Sequence, residues 1–135
     1  MSFNLDFEKH YPHPPERVWQ ALVSPDSLAR WLMPNDFEPI IGRVSKFRFP
    51  RGDCDGEEGI VLVEVEEIER PECMVWLWRN TDQDETTRVT FTLKPSNGGT
   101  LLRLNHRDIT TEAEAASLGG GWPGKLASLQ ELLGP

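Results

Sequence analysis

Cysteine is too scarce in this chain to staple a fold. Cys54 follows Gly52-Asp53 in an expected turn and Cys73 opens "CMVWLW", so the two read as unpaired, reduced thiols in a cytoplasmic setting. Basic residues are also in short supply. Against 22 Asp and Glu there are only 14 Lys and Arg, a formal net charge of -8, and a field of that sign opposes phosphate backbones and anionic lipid headgroups. Nucleic acid is therefore not expected as a partner. No apolar run approaches the length of a membrane helix, and "MSFNLDFEKHYP" lacks the basic-then-apolar pattern of a targeting segment. There is no glycine-rich phosphate cradle followed by lysine and a hydroxyl. "DCDGEEG" lacks the ordered ligands of a calcium loop, and His10-x-x-His13 has no convincing third ligand. Neither a metal nor a cofactor is expected.

What is present is enough for one ordinary core. With 135 residues, 38% of them hydrophobic and 27% charged, the chain fits a single domain over residues 1–135 that needs neither disulfide nor metal. Phe3, Leu5 and Phe7 alternate, as in a half-buried strand. In "HPPERVWQALVSPDSLARWLMP" two proline-introduced runs follow. Pro15 can sit in a first helical turn, and Val18, Trp19, Leu22 and Val23 share a helical face. Ser24 caps a second short helix, with Pro25 and Asp26 in its first turn, Leu28, Trp31 and Leu32 on its apolar side, and Pro34 marking its exit.

From Val44 the apolar period changes to two. "VSKFRF", "GIVLVEVEEI", "CMVWLW", "TRVTFTL" and "TLLRLNH" read as strands with short, turn-rich connections, which favours antiparallel neighbours. Asn97-Gly98 is a hairpin signal, and Asp55-Gly56 a weaker one. Thr111 with Glu114 forms a capping pair for a short helical segment, which Gly119 to Gly121 are expected to interrupt. Trp122, Leu126, Leu129 and Leu133 then stripe a terminal helix of about 18 Å. Such a stripe must cover something, and the apolar sheet face is the nearest candidate, giving an α+β domain.

The order of these segments resembles the START-like superfamily, also called SRPBCC or Bet v 1-like. More closely, "PPERVWQALVSPDSLARW", "IGRVSKFRF", "GIVLVEVEEIERPECMVWLW", "TRVTFTL" and "GGGWPGKLASLQELL" resemble the family related to the C-terminal domain of the activator of the Hsp90 ATPase. The resemblance implies a helix-grip fold, in which a curved antiparallel sheet wraps a long C-terminal helix and two short helices follow the first strand. It also implies a cavity between sheet and helix. Two departures bear on the mouth of that cavity: Leu32 follows Trp31 where many relatives carry another aromatic residue, and Arg43 follows Gly42 where a small residue is common.

Aromatic residues of matching strand parity make the candidate ligand-binding set. Trp76 and Trp78 share a face, Phe91 shares one with Val89 and Leu93, and Phe47 and Phe49 line their own strand; Trp31 and Trp122 come from the helices. Leu104 and His106 have the inward parity of "TLLRLNH". Taken singly, each of the aromatic residues reads first as filling an ordinary core, and His106 as a satisfied or solvated strand-end histidine. The leading expectation is binding of a small hydrophobic or amphipathic molecule. A co-chaperone-like module with a chaperone or other protein partner is the second, and a cavity enzyme of cyclase or hydrolase type the third. No catalytic residue is assigned; were the domain catalytic, His106 would be the first acid or base to test.

Overall fold

Proline and serine set the start of the structure as the sequence foretells. A computed structural model describes residues 2–50, 58–80 and 85–135; Cys54, the Asp55-Gly56 turn and most of "DCDGEEG" lie outside them. Strand β1 (Phe3–Tyr11) leads into α1 (Pro15–Val23) and α2 (Pro25–Trp31). Ser24 closes α1 and caps α2, its Oγ accepting the Ser27 amide at 3.4 Å. Trp31 locks the pair together by donating its indole N–H to the Ala21 carbonyl at 2.8 Å.

Five further strands follow: β2 (Val44–Pro50), β3 (Glu58–Glu69), β4 (Cys73–Asn80), β5 (Thr87–Ser96) and β6 (Gly99–Ile109). Among the described residues they form, with β1, one six-stranded sheet of order β1-β6-β5-β4-β3-β2, antiparallel throughout. The β5–β6 hairpin turns at Asn97 and Gly98, whose φ values of 47° and 78° are those the tight turn requires. A bulge between Val65 and Glu67 shifts the parity of β3, so that Val61, Val63 and Val65 point inward and Ile68 still packs against the core. Opposite Gly59 stands Phe49, whose ring lies where a glycine Cβ would be, so only glycine leaves room for it.

Against the inner face of the curved sheet lies α3 (Glu112–Leu133), which corrects one expectation. Gly119 to Gly121 do not interrupt it, nor does Pro123, and the helix is 22 residues long, about 33 Å rather than 18 Å. Local preference should weaken such a helix: each glycine costs about 1 kcal/mol relative to alanine, and an interior proline about 3 kcal/mol. Packing overrides it, because Ala115, Trp122, Leu126, Leu129 and Leu133 are all buried on one side. The far end is held by residues remote in sequence. Arg17 donates to the Leu133 carbonyl at 3.1 Å and His13 Nε2 to that of Gly134 at 2.9 Å, satisfying carbonyls that a helix end leaves free. His10 Nε2 meets Ser96 O at 2.8 Å, so the two histidines of His10-x-x-His13 serve separate carbonyls. Cys73 is a half-buried free thiol whose pKa is raised by burial and by Glu67 and Glu69, which keeps it protonated and unreactive. No helix among the described residues is long and apolar enough to cross a membrane.

Candidate functional site: a cavity between helix and sheet

Two neighbouring stripes of α3 face different surroundings. Glu114, Leu118 and Trp122 recur at four-residue spacing, followed by Lys125, and form the inner wall of a partly open cavity of about 390 Å³. Beside them run Ala113, Ser117 and Gly121, also four apart, small and exposed, which keep the rim low. The floor comes from the strands through Phe49, Val61, Trp78 and Asn80, and the side from Leu32 and Met33 where α2 ends. Lys125 closes that side: its ammonium donates to the Leu32 carbonyl at 2.8 Å, a favourable place for a cation at the end of α2.

Behind the wall stands His106, fully buried and bonded through both ring nitrogens. An indole N–H can only donate, so the 3.0 Å contact from Trp122 Nε1 makes His106 Nδ1 an acceptor. The ring proton therefore sits on Nε2 and is donated to Thr87 Oγ1 at 2.7 Å, and Thr87 in turn donates to the Trp78 carbonyl at 3.1 Å. Every donor in the chain Trp122–His106–Thr87–Trp78 has one acceptor. Burial pushes the imidazole pKa down to about 4, which favours the neutral ring this order of bonds requires. Trp78 and Trp122, the two indoles on the cavity surface, lie with ring centroids 5.6 Å apart; His106 holds the Trp122 indole by a hydrogen bond and meets the Trp78 ring edge-on at 5.5 Å.

The sequence-derived residues divide accordingly. Phe49, Trp78 and Trp122 line the cavity. Phe47, Trp76 and Phe91 instead form a core cluster with Phe37; Trp76 meets Phe91 at 4.7 Å and Phe37 at 5.4 Å between centroids. Leu104 and Trp31 are also in the core, each about 1% exposed. The candidate His106 is not on the cavity lining: it stands behind Trp78 and Trp122, whose rings it meets edge-on at 5.5 Å and 6.0 Å, and both its nitrogens are occupied, so no proton is offered to a ligand. Of the two departures, Leu32 is on the wall, whereas Arg43 pairs with Glu38 at 3.4 Å on the surface.

Sequence reasoning missed the polar ends of the cavity. Glu114 reads as one half of a capping pair, and Thr111 Oγ1 does accept its amide at 3.2 Å, but its carboxyl does not return to the cap. It lies 9% exposed on the cavity wall, within hydrogen-bonding reach of Glu85, and burial and then Glu85 push its pKa up to about 7. Only the four-residue spacing with Leu118 and Trp122 could have revealed that placement.

A long helix held in a curved antiparallel sheet, with a half-open, indole-walled cavity between them, defines a helix-grip protein. The chain belongs to the family described as "Activator of Hsp90 ATPase homolog 1-like protein", whose model matches residues 12–134. Solved structures agree. Protein MLL2253 from Mesorhizobium loti is 29% identical over 97% of this chain and 96% of its own, with a TM-score of 0.82. Protein CV1439 from Chromobacterium violaceum is 24% identical over 98% of both chains, with a TM-score of 0.83, and so shows the fold alone. The Aha1 dimer from Colwellia psychrerythraea, 22% identical over 97% of this chain and 96% of its own with a TM-score of 0.81, does the same. Among curated proteins none matches the chain.

Proposed function

We propose that the chain binds one small hydrophobic or amphipathic molecule between α3 and the sheet. The observation that carries this reading is the cavity itself. Its volume of about 390 Å³ and its wall of two indoles, Phe49, Leu118 and a few polar groups suit a small ligand. A fully packed interior would have served stability better, because indole surface facing a void forgoes contacts. Protein purified under native conditions should carry a stoichiometric small molecule or take one up from a broad panel, as read by native mass spectrometry. Ser117→Trp fills the rim from an exposed helix position, and it should abolish uptake while leaving the far-ultraviolet spectrum unchanged. Absence of any stoichiometric ligand, or uptake undisturbed by S117W, would overturn the reading.

A second reading, a protein-binding module, draws on a different surface. Ile40, Ile41 and Val44 are 54%, 60% and 49% exposed where the chain enters β2, an edge strand of the sheet. The family's name points to a chaperone ATPase as a partner, the Colwellia relative is described as a dimer, and the net charge of -8 suits a basic partner. Sedimentation velocity alone and with purified Hsp90 tests it. A complex or dimer that persists at physiological salt and is lost in Ile41→Asp supports this reading, and a monomer in both experiments rejects it.

A further inference from the structure

The end of the cavity at the start of α3 carries acceptors without donors. Glu114 Oε2 and Glu85 Oε1 are both buried and neither has a hydrogen-bond partner. The Glu85 carboxyl stands beside that of Glu114 and, after burial, adds to the rise in the Glu114 pKa. Among the described residues that line the cavity, the one charge of the other sign is distant. Lys125, the cation on the same wall, is eleven residues further along α3, roughly 16 Å of helix rise away, and its ammonium is already engaged by Leu32. Between these ends the wall is Leu118, Trp122 and Trp78, with Asn80 and Thr111 as neutral polar neighbours. His106, the nearest other titratable group behind the indoles, is neutral and saturated. The cavity therefore offers the buried Glu114 carboxyl, with Glu85 beside it off the lining, at one end of an aromatic slot. The group missing there is a positively charged hydrogen-bond donor.

We propose that the cavity selects an amphipathic amine, its ammonium docked on Glu114 and its apolar body lying along Leu118 toward Trp122 and Trp78. This assignment rests on the small-molecule reading above and specifies its chemistry. The ammonium supplies the donor that the carboxyl oxygens lack, as a charge-assisted bond in a site largely removed from water. The proton that Glu114 carries in part at neutral pH then leaves to the buffer, so that a full carboxylate faces the cation. A carboxylate ligand would instead meet two acids of its own sign at this end.

Three probes with one naphthyl body separate the amine from the cavity: 2-naphthylmethylamine, 2-naphthylmethanol and 2-naphthoate. They are titrated calorimetrically into the full chain at pH 7, in buffers of differing ionisation heat. The amine should bind about tenfold more tightly than the alcohol or the acid, the scale of one charge-assisted bond, and should release a fraction of a proton per ligand. In Glu114→Gln the amine-to-alcohol ratio should fall to near one. In Glu85→Gln the preference should persist while proton release shrinks, because Glu114 loses a neighbour that raises its pKa. Equal or tighter binding of the alcohol or the naphthoate by the parent chain overturns the amine assignment and leaves the cavity reading standing, as does a preference that survives E114Q. Failure of all three probes to bind counts against the cavity reading and the amine assignment together.

Discussion

Trp122 is where the buried hydrogen-bond chain and the cavity surface meet, and His106 is the residue that sets its position. Inward parity in "TLLRLNH" was enough to place His106 on the core side, but its partners Thr87 and Trp122 are 19 and 16 residues away, and no local pattern announces them. Titration gives this arrangement a signature. In the unfolded chain His106 takes a proton near its ordinary 6.5, whereas in the fold it does so only at about 4. Between those values the unfolded chain binds more protons, so stability is complete above pH 6.5 and falls as pH drops through the window, by on the order of 2 kcal/mol at pH 5. Glu114 acts in the opposite direction. Its pKa rises from 4.5 to about 7 on folding, so between those values the folded chain binds more protons and acidification stabilises, less strongly because the cavity admits solvent. The two effects offset each other in the parent. Urea unfolding at pH 7 and pH 5 should show a larger acid loss in Glu114→Gln than in the parent, and a smaller one in His106→Gln. Equal acid losses in all three proteins would show that neither group titrates as described.

At the scale of elements, the strands and the two short helices were legible because each carries its own period and punctuation. Ser24, Pro25 and Asn97-Gly98 act on their immediate neighbours, and the structure keeps them where local chemistry puts them. Helix α3 was legible only in part. The stripe of Trp122, Leu126, Leu129 and Leu133 was visible, but continuity through Gly119 to Gly121 comes from tertiary packing that a local propensity cannot register. The segment between α2 and β2 was read as neither strand nor helix, yet Phe37 within it is 1% exposed and packs on Phe47 and Trp76. Gly120 is the position that tests the propensity argument. It is helical and exposed, with nothing within 4 Å of where a Cβ would stand. Gly120→Ala should therefore stabilise by up to about 1 kcal/mol, a rise of about 4 °C in the thermal midpoint. A fall would mean that α3 needs a glycine there for a reason other than space. At the end of the same helix, Arg17→Ala should cost about 1 kcal/mol through the freed Leu133 carbonyl.

Taken as a whole molecule, the fold arranges five tryptophans in two environments. Trp19, Trp31 and Trp76 are core residues at 2%, 1% and 0% exposure and stand off the cavity wall, while Trp78 and Trp122 line it. That division could not be read from the sequence, where all nine candidate residues shared inward parity or a helical stripe; which of them border a void depends on how far α3 stands from β4 and on the small rim of Ala113, Ser117 and Gly121. It also supplies the most direct test of the cavity as a binding site. In a ¹⁵N-correlated proton spectrum each indole N–H gives its own resonance, and a naphthyl probe or a natively recovered ligand can be titrated while all five are followed. Saturable shifts of Trp78 and Trp122, with Trp19 and Trp31 unmoved, are the expected result. Bound ligand that leaves Trp78 and Trp122 in place, with the shifts confined to the amides of Ile40, Ile41 and Val44, would contradict it.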